Sequence, residues 1–286
     1  MMRIDLHMHS TVSDGTDTPS ELLERVREAK IEMFALTDHD AIKGCAMIRN
    51  SIRPGDPFFI NGVEFSCRDE EGKYHILGYN YSPDSASILD VVELGHGYRE
   101  KKLMARLEFI RDRFGFSFSE EDVQYLQALE NPGKPHIGNL MVRYGYAPSK
   151  EVAIREYLNQ ARFHNEYVRP EQAIQGILKS GGIPVLAHPV YGSGDELILD
   201  DRMDQRLKRL LEFGLQGVEA FYSSFTPKLE REMIFFAEKY NLYVTAGSDY
   251  HGKNKMIALG ETNLDKAESI PDGMKRFLSV VGYAAG

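Results

Sequence analysis

The chain has 286 residues, of which 42% are hydrophobic and 27% charged, which is the balance of a globular protein with a sizeable core. Its two cysteines exclude a disulfide scaffold. The net charge of −9 argues against an extended nucleic-acid platform, and no apolar run approaches the roughly 18 residues of a membrane span. We therefore expect a cytoplasmic protein without a membrane partner, whose oligomeric state the sequence leaves open.

Strand and helix signals alternate over most of the chain. The helix signals are Thr18-Pro19 followed by Glu21, which marks a helix start, and amphipathic segments at 171–179, 227–240 and 266–281. Short apolar segments predict strands at 4–6, 33–36, 58–63, 74–79, 183–187, 217–221 and 242–246. Between the strand signals at 74–79 and those at 183–187, residues 85–162 are predicted to be mostly helical.

Six or seven parallel strands can be counted in this pattern, which favours a small or distorted barrel over an open sheet. The predicted fold is an α/β distorted (β/α)7 TIM-like barrel, built from the discontinuous segments 1–95 and 168–286. The helical insertion, 96–167, is expected to cap the C-terminal rim, where barrels of this kind bind their ligands.

Metal-ligand residue types occur at or near the ends of the predicted strands. In His7-x-His9 the two imidazoles alternate along an extended segment and can reach one cation, and Asp249-x-His251 repeats this spacing. Imidazoles mixed with carboxylates suit Mn²⁺, Fe²⁺ or Zn²⁺, and nine such residues exceed the needs of one ion. We predict two or three divalent ions, with Glu64 able to bridge two of them. The nine candidate ligands are His7, His9, Asp14, His39, Glu64, His75, His188, Asp249 and His251.

The motifs around these residues resemble, as a set, the successive motifs of the PHP (polymerase and histidinol phosphatase) family. The resemblance covers the barrel portion and implies a distorted barrel, up to three metals and metal-dependent hydrolysis of phosphoesters. The motifs that carry it are His7-Met8-His9-Ser10, Ser13-Asp14-Gly15, Thr37-Asp38-His39-Asp40, Glu64, His75, Ala187-His188-Pro189 and Gly247-Ser248-Asp249-Tyr250-His251-Gly252.

The resemblance also implies an assignment of ligands to metals. One metal takes His7, His9, Glu64 and Asp249; a second takes Glu64, His75 and His188; a third takes Asp14, His39 and His251. Asp14 stands where some family members have a histidine. The residues expected to take part in catalysis are Asp14, Glu64, His188, Asp249 and His251.

The ligand set predicts that a metal-activated hydroxide attacks the phosphate, so that no serine or cysteine nucleophile is needed. Ser10 and Ser13 are accordingly interpreted as turn residues. Asp38 or Asp40 is a candidate for orienting His39 from behind, and helix capping explains either aspartate equally well.

The closest resemblance is to short family members that hydrolyse 3′,5′-bisphosphonucleotides or trim nucleotides from the 5′ ends of short oligonucleotides. It implies a small phosphorylated nucleotide or a short oligonucleotide as substrate. His136 and Arg143 lie seven residues apart, two turns along one helical face, and this stretch resembles a basic pattern of those members. Arg143 is the candidate for gripping a second phosphate, assisted by Lys134 and His136, with Arg162 a weaker candidate. On spacing alone, a salt-bridged surface arginine explains Arg143 equally well.

Three other functions compete with this one. An amidohydrolase-like barrel hydrolyses C–N bonds with a similar metal centre, but usually also shows a lysine or a lone aspartate as base at a strand end. A histidinol-phosphatase-like enzyme keeps the same metals and differs in substrate. A non-catalytic, metal-stabilised binding module predicts a broken ligand set, whereas the set here is complete.

Overall fold

The computed structural model describes residues 2–192 and 196–283. Contacts between Cα atoms divide the chain into two compact units, one formed by residues 1–92 and 168–286 and the other by residues 93–167. All seven strands belong to the first unit, while the second is helical throughout its regular structure.

The first unit is a seven-stranded sheet in which strand order follows chain order. The sheet closes on itself, because Leu6 N donates to Ala246 O at 2.9 Å and Met8 forms a parallel bridge with Tyr250. The predicted seven-stranded TIM-like barrel is therefore confirmed. Its strands are β1 (Ile4–Asp5), β2 (Met33–Leu36), β3 (Phe58–Asp69), β4 (Gly72–Tyr79), β5 (Ile183–Leu186), β6 (Gly217–Tyr222) and β7 (Tyr243–Gly247).

The expectation that all strands are parallel is wrong for β4, which runs antiparallel to both β3 and β5. Only Glu70 and Glu71 separate β3 from β4, and a parallel connection needs a crossover of a dozen or more residues. Glu64 also lies inside β3 rather than at its end, since β3 continues to Asp69. Because β4 is reversed, its first half lies at the edge where the other strands end, which brings His75 to the same rim.

Ten α-helices occur in the described residues. α1 begins as predicted, since the Thr18 hydroxyl accepts from Glu21 N (3.2 Å) while the Glu21 carboxylate accepts from Thr18 N (2.8 Å). α2 and α8 are additional to the predicted helices. The helices are α1 (Pro19–Glu28), α2 (Lys43–Ser51), α3 (Ala86–Phe114), α4 (Glu120–Gln127), α5 (Lys134–Arg143), α6 (Lys150–Val152), α7 (Pro170–Lys179), α8 (Asp200–Glu212), α9 (Pro227–Lys239) and α10 (Asp272–Val280).

The last helix is shorter than predicted. Pro271 precedes α10 and has an extended backbone, so the helical pattern from 266 onward cannot run through it. A separate 3₁₀ turn, Leu264–Lys266, occupies the beginning of that segment. Within residues 2–192 and 196–283, none of the helices combines the length and the apolar character that crossing a membrane requires.

The helical unit has a core of its own. Leu103, Ile110 and Leu126 are fully buried there, and Phe116 stacks on Tyr146 with ring centroids 4.3 Å apart. Burial of this much apolar surface stabilises the 93–167 unit from within. Its regular structure consists of most of α3, all of α4 to α6, a π turn at Ala153–Tyr157 and a 3₁₀ turn at Leu158–Gln160.

Candidate metal centre

The carboxyl-end rim of the barrel gathers imidazoles and carboxylates from six of the seven strands. His7 and His9 follow β1, His39 follows β2, and His188 follows β5. β3 and β4 contribute side chains from within the strands, Glu64 and His75, because this hairpin extends past the end of β2. Asp249 and His251 follow β7, and Asp14 lies in the loop between β1 and α1.

The first group of ligand atoms surrounds Glu64 Oε2 and is buried. His7 Nε2 lies 3.2 Å and His9 Nε2 lies 3.1 Å from this oxygen. Asp249 Oδ1 completes the group at 3.6 Å from His7 Nε2 and 3.3 Å from His9 Nε2. All four side chains are at most 6% exposed. Four donor atoms that lie this close together, without bulk water, form a preorganised pocket for one cation.

A second group forms around the same carboxylate. His75 Nδ1 lies 2.7 Å and His188 Nε2 lies 3.2 Å from Glu64 Oε1, while His39 Nδ1 lies 3.2 Å from Glu64 Oε2. The atoms that converge most closely are those of His39, Glu64 and His75. His39, expected only at the third site, therefore also reaches the second one, and His188 contacts the same Glu64 oxygen as His75.

A third group consists of His9, Asp14, His39 and His251. Asp14 Oδ1 lies 3.2 Å from His251 Nε2 and 3.6 Å from His9 Nδ1, and Asp14 Oδ2 lies 3.9 Å from His39 Nε2. The Asp14 side chain is 41% exposed, so this group is the one most open to solvent. The structure thus brings all nine predicted ligands together at one rim.

The electrostatics of the cluster favour positive charge near its carboxylates. Burial alone would raise the pKa of Glu64, but the imidazoles of His39, His7 and His75 outweigh it and hold the pKa well below its usual range. The pKa of Asp249 is lowered in the same way, since the effects of His7 and His9 exceed that of burial. Burial lowers the pKa of His39 to about 3.

The donor atoms fit bound cations. His7 Nε2 and His9 Nε2 are buried and lack a hydrogen-bond partner, although both face carboxylate oxygens. A buried imidazole nitrogen without a partner costs free energy, which coordination of a cation would remove. The mixture of imidazole and carboxylate donors, without a thiolate, suits Mn²⁺, Fe²⁺ or Zn²⁺.

Glu219 on β6 stands behind the first group and is absent from the predicted set. Its Oε1 accepts from His7 Nδ1 at 2.9 Å, which leaves His7 Nε2 facing the group, and its Oε2 accepts from the backbone N–H of His188 at 2.8 Å. The residue is fully buried. A Cβ at Gly247 would lie 2.2 Å from His7 Cβ and 2.3 Å from Glu219 Oε1, so only glycine leaves room for this pair. The signal in the sequence was a single carboxylate within the apolar strand Gly217-Val218-Glu219-Ala220-Phe221.

Two of the candidate ligands have a left-handed backbone. His188 has φ of +26° and Asp249 has φ of +58°, both costly for residues other than glycine. The hydrogen bond from His188 N to Glu219 and one from Asp249 N to His7 O (2.8 Å) hold these conformations. Backbone strain held in place by buried hydrogen bonds is typical of functional sites.

The loop after β1 is tied down by Asp38. Its carboxylate accepts from Ser10 N (2.8 Å), Ser10 Oγ (2.7 Å) and Ser13 Oγ (2.7 Å). Ser10 O also accepts from Ser13 N, which closes a turn, so the interpretation of both serines as turn residues is confirmed. Asp40 accepts from Ser66 N (2.9 Å) on β3.

Asp249 has different neighbours on its two oxygens. Oδ1 faces the imidazoles, whereas Oδ2 accepts from the Tyr222 hydroxyl (2.8 Å) and from Lys255 Nζ (2.5 Å). Neither donor is in the predicted set. Tyr222 is the last residue of β6, and Lys255 lies in a loop without a periodic pattern, so the sequence offers no signal for Lys255.

The predicted substrate residues all lie in the helical unit. Lys134 Nζ donates to Asn159 Oδ1 (2.6 Å), and Arg162 donates to the carbonyl oxygen of Asn159 (2.7 Å). His136 lies in the first turn of α5, where its Nδ1 accepts from Gly133 N (3.1 Å). Lys134 and Arg162 thus each have a local hydrogen-bond partner within the helical unit.

Arg143, at the end of α5, pairs with Asp122 and is 58% exposed. Arg143 is therefore a salt-bridged surface arginine, the alternative that its spacing left open. Arg143 and His136 nonetheless line the same cavity, of about 420 Å³, together with Asp122 and Tyr125. The predicted shared helical face is confirmed for these two side chains.

Comparison with known proteins gives three findings. The family model described as the PHP domain matches residues 5–279. A 3′,5′-nucleoside bisphosphate phosphatase of Chromobacterium violaceum is 29% identical over 282 residues, which cover 95% of this chain and 93% of the relative. The 5′-3′ exoribonuclease Rnm of Escherichia coli is 29% identical over 266 residues, which cover 90% of this chain and 87% of the relative.

The fold also matches a solved structure. A protein of Bifidobacterium adolescentis, assigned as a metal-dependent phosphoesterase, superposes with a TM-score of 0.79 at 24% identity. The match covers 97% of this chain and 96% of the other. The likeness therefore extends over the whole architecture.

Proposed function

We propose that this chain, a member of the PHP domain family and a metal-dependent phosphoesterase, acts on a small nucleotide. The phosphoester it hydrolyses is that of a 3′,5′-bisphosphonucleotide or the ester at the 5′ end of a short oligonucleotide. The names of the two relatives, a bisphosphate phosphatase and a 5′-3′ exoribonuclease, support both choices. The net charge of −9 fits a short substrate better than an extended nucleic acid. We also propose that the enzyme is cytoplasmic.

The observation that carries the metal-dependent hydrolysis in this proposal is the position of Glu64. Its two oxygens lie within 3.2 Å of nitrogen atoms from five histidines, which reach it from four other strands or strand ends. A carboxylate surrounded in this way can bridge two cations, since each oxygen serves a different group of imidazoles. Those five histidines are His7, His9, His39, His75 and His188.

We assign two or three divalent ions, of Mn²⁺, Fe²⁺ or Zn²⁺, to the three groups of donors. When bound, such ions supply a water of lowered pKa and neutralise the charge that develops on the phosphoryl group. Glu64 and Asp249 provide the buried negative charge that retains the ions. His188 contacts Glu64 Oε1 and His39 contacts Glu64 Oε2, while Asp14 and His251 belong to the more exposed third group.

Glu219 is expected to set the orientation of His7. In Glu219→Gln, the amide can accept from His7 Nδ1 or from His188 N but not from both, so one of the two bonds is lost. We expect Mn²⁺ affinity to fall about 10- to 100-fold, the usual cost of losing a partner behind a metal ligand. Isothermal titration calorimetry measures this, with the exposed Glu212→Gln as the matched control. An unchanged Mn²⁺ affinity in Glu219→Gln would contradict the role of this residue.

Arg143 and His136 form the proposed recognition element for a second phosphate. Their shared cavity combines a guanidinium and an imidazole with an aromatic ring, Tyr125, and is also lined by two carboxylates, Glu121 and Asp122. A guanidinium can donate two parallel hydrogen bonds to a phosphate, and the Arg143 side chain is exposed enough to exchange Asp122 for such a ligand. Lys134 and Arg162 remain assisting candidates in this proposal.

Arg143→Ala is expected to raise KM for a bisphosphonucleotide at least about tenfold, since a charge-assisted contact contributes roughly 1.5–3 kcal/mol. KM for p-nitrophenyl phosphate should stay unchanged, because this compound has a single phosphate. Arg111→Ala is the matched control, as its side chain is 57% exposed and paired with carboxylates. Equal effects of Arg143→Ala on both substrates would remove the residue from substrate recognition.

The substrate class is tested by a hydrolysis screen on the Mn²⁺-loaded protein, which follows phosphate release from the phosphomonoesters and mononucleotide release from the oligonucleotide. The panel contains a 3′,5′-bisphosphonucleotide, a short 5′-phosphorylated oligonucleotide, histidinol phosphate and p-nitrophenyl phosphate. The highest kcat/KM is expected for the bisphosphonucleotide or the oligonucleotide. A preference for histidinol phosphate would overturn the proposed substrate, and failure to hydrolyse any of the four phosphoesters would overturn the reaction.

A further inference from the structure

Lys255 places a cation beside the first group of ligands, in a position that the three groups do not account for. Its Nζ lies 2.5 Å from Asp249 Oδ2, and its side chain is 36% exposed. The residue follows a 3₁₀ turn, Gly252–Asn254, that leads away from the end of β7. The ammonium is therefore in contact with the metal-ligand cluster and also accessible from solvent.

Asp249 does not depend on Lys255 to satisfy its outer oxygen. The Tyr222 hydroxyl donates to the same Oδ2 at 2.8 Å, and Tyr222 as a whole is 6% exposed. This second donor is rigid, because Tyr222 closes β6 and its ring packs against that of Phe225, with centroids 5.2 Å apart. Lys255 is thus the one of the two donors that can move away without stripping Oδ2 of its hydrogen bond.

The charge balance indicates where Lys255 goes when ions are bound. The three groups contain three carboxylates, Asp14, Glu64 and Asp249, and Glu219 adds a fourth behind His7. Two divalent ions already balance four carboxylates, and a third ion leaves an excess of positive charge. The Lys255 ammonium then lies beside positively charged ions, and an additional anion would stabilise it.

We infer that Lys255 is a substrate-contacting residue, which exchanges Asp249 Oδ2 for an oxygen of the phosphoryl group being hydrolysed. This inference rests on the proposed function, since it concerns the same site and its bound ions. A lysine suits the role because it acts as a compact point charge on a flexible stem and follows the phosphoryl group as its charge shifts. In the alternative, Lys255 only orients Asp249, and its loss weakens ion binding instead.

The test separates these two roles by measuring two affinities in each protein. Calorimetry gives the Kd for Mn²⁺ and, on the Mn²⁺-loaded protein, the Kd for inorganic phosphate. Lys255→Met is expected to raise the phosphate Kd at least about tenfold while the Mn²⁺ Kd stays within about twofold. Lys255→Arg keeps the charge and should recover most of the phosphate affinity. Tyr222→Phe removes the other donor to Oδ2 and shows what a change acting through Asp249 looks like, namely a raised Mn²⁺ Kd.

Two results would overturn the inference. An unchanged phosphate Kd in Lys255→Met excludes the contact, and a raised Mn²⁺ Kd like that of Tyr222→Phe assigns Lys255 to the support of Asp249. Failure of the unsubstituted protein to bind any of Mn²⁺, Fe²⁺ and Zn²⁺ overturns the proposed function itself and is visible before any variant is made. Melting temperatures of all variants show that the fold is retained, which the exposed loop position of Lys255 favours.

Discussion

Removal of divalent metals with a chelator is expected to abolish phosphate release, and addition of Mn²⁺ is expected to restore it. Hydrolysis without a serine or cysteine nucleophile requires another way to activate water at neutral pH, and the imidazoles and carboxylates of the rim suit divalent ions that do so. Ser10 and Ser13, in the loop after β1, are engaged with Asp38. Phosphate release from a bisphosphonucleotide before chelation, after it and after Mn²⁺ addition measures the effect.

Metal analysis of the same three samples links activity to occupancy. Mg²⁺ and Zn²⁺ are added in parallel with Mn²⁺, so that restoration by one ion is distinguished from a general effect of divalent charge. Circular dichroism of the chelated sample serves as control, since a lost signal would trace inactivity to unfolding. Undiminished turnover in protein shown to be free of metal would exclude the proposed chemistry.

Glu64→Gln is expected to lower both metal content and phosphate release by more than about 100-fold. Loss of a residue that only supports a metal ligand from behind already lowers metal affinity or activity about 10- to 100-fold. The substitution keeps the size of the side chain but removes the negative charge that five histidines approach. It also replaces one oxygen with an amide nitrogen, which is not a metal ligand, so the shared position between two ions is lost. Elemental analysis and steady-state kinetics measure the two effects.

Glu71→Gln is the matched control for Glu64→Gln. Glu71 belongs to the turn of the same hairpin, undergoes the same chemical change and is 65% exposed. It should leave metal content and rate close to those of the unsubstituted protein. If Glu64→Gln retained a full complement of metal and most of its activity, Glu64 would not be a shared ligand.

The barrel and the rim cluster could be predicted because both depend on regular rules. Parallel strands bring their carboxyl ends to one edge, so His7, His39, His188 and Asp249, each just after an apolar segment, had to meet there. The direction of β4 could not be predicted in the same way. A buried strand has the same composition in either direction, and the Glu70-Glu71 turn lacks the Asn-Gly or Asp-Gly signal of a tight hairpin.

The supporting residues were harder to predict because their roles depend on three-dimensional neighbours. Glu219 interrupts an apolar strand, a pattern that indicates a buried partner without naming it as His7. Lys255 reaches Asp249 only through the path of the loop after β7. Local spacing did identify the common face of His136 and Arg143, since helical periodicity fixes it, but it could not reveal that Asp122 pairs with Arg143.

The seam that closes the barrel has a consequence for the synthesis of this enzyme. β1 and β7 meet there, and the first group of ligands takes His7 and His9 from one side of the seam and Asp249 from the other. A nascent chain displays its first histidines early but has no complete pocket until residue 249 has left the ribosome. The first group of ligands can therefore be complete only late in synthesis, once the last strand of the barrel has joined the first.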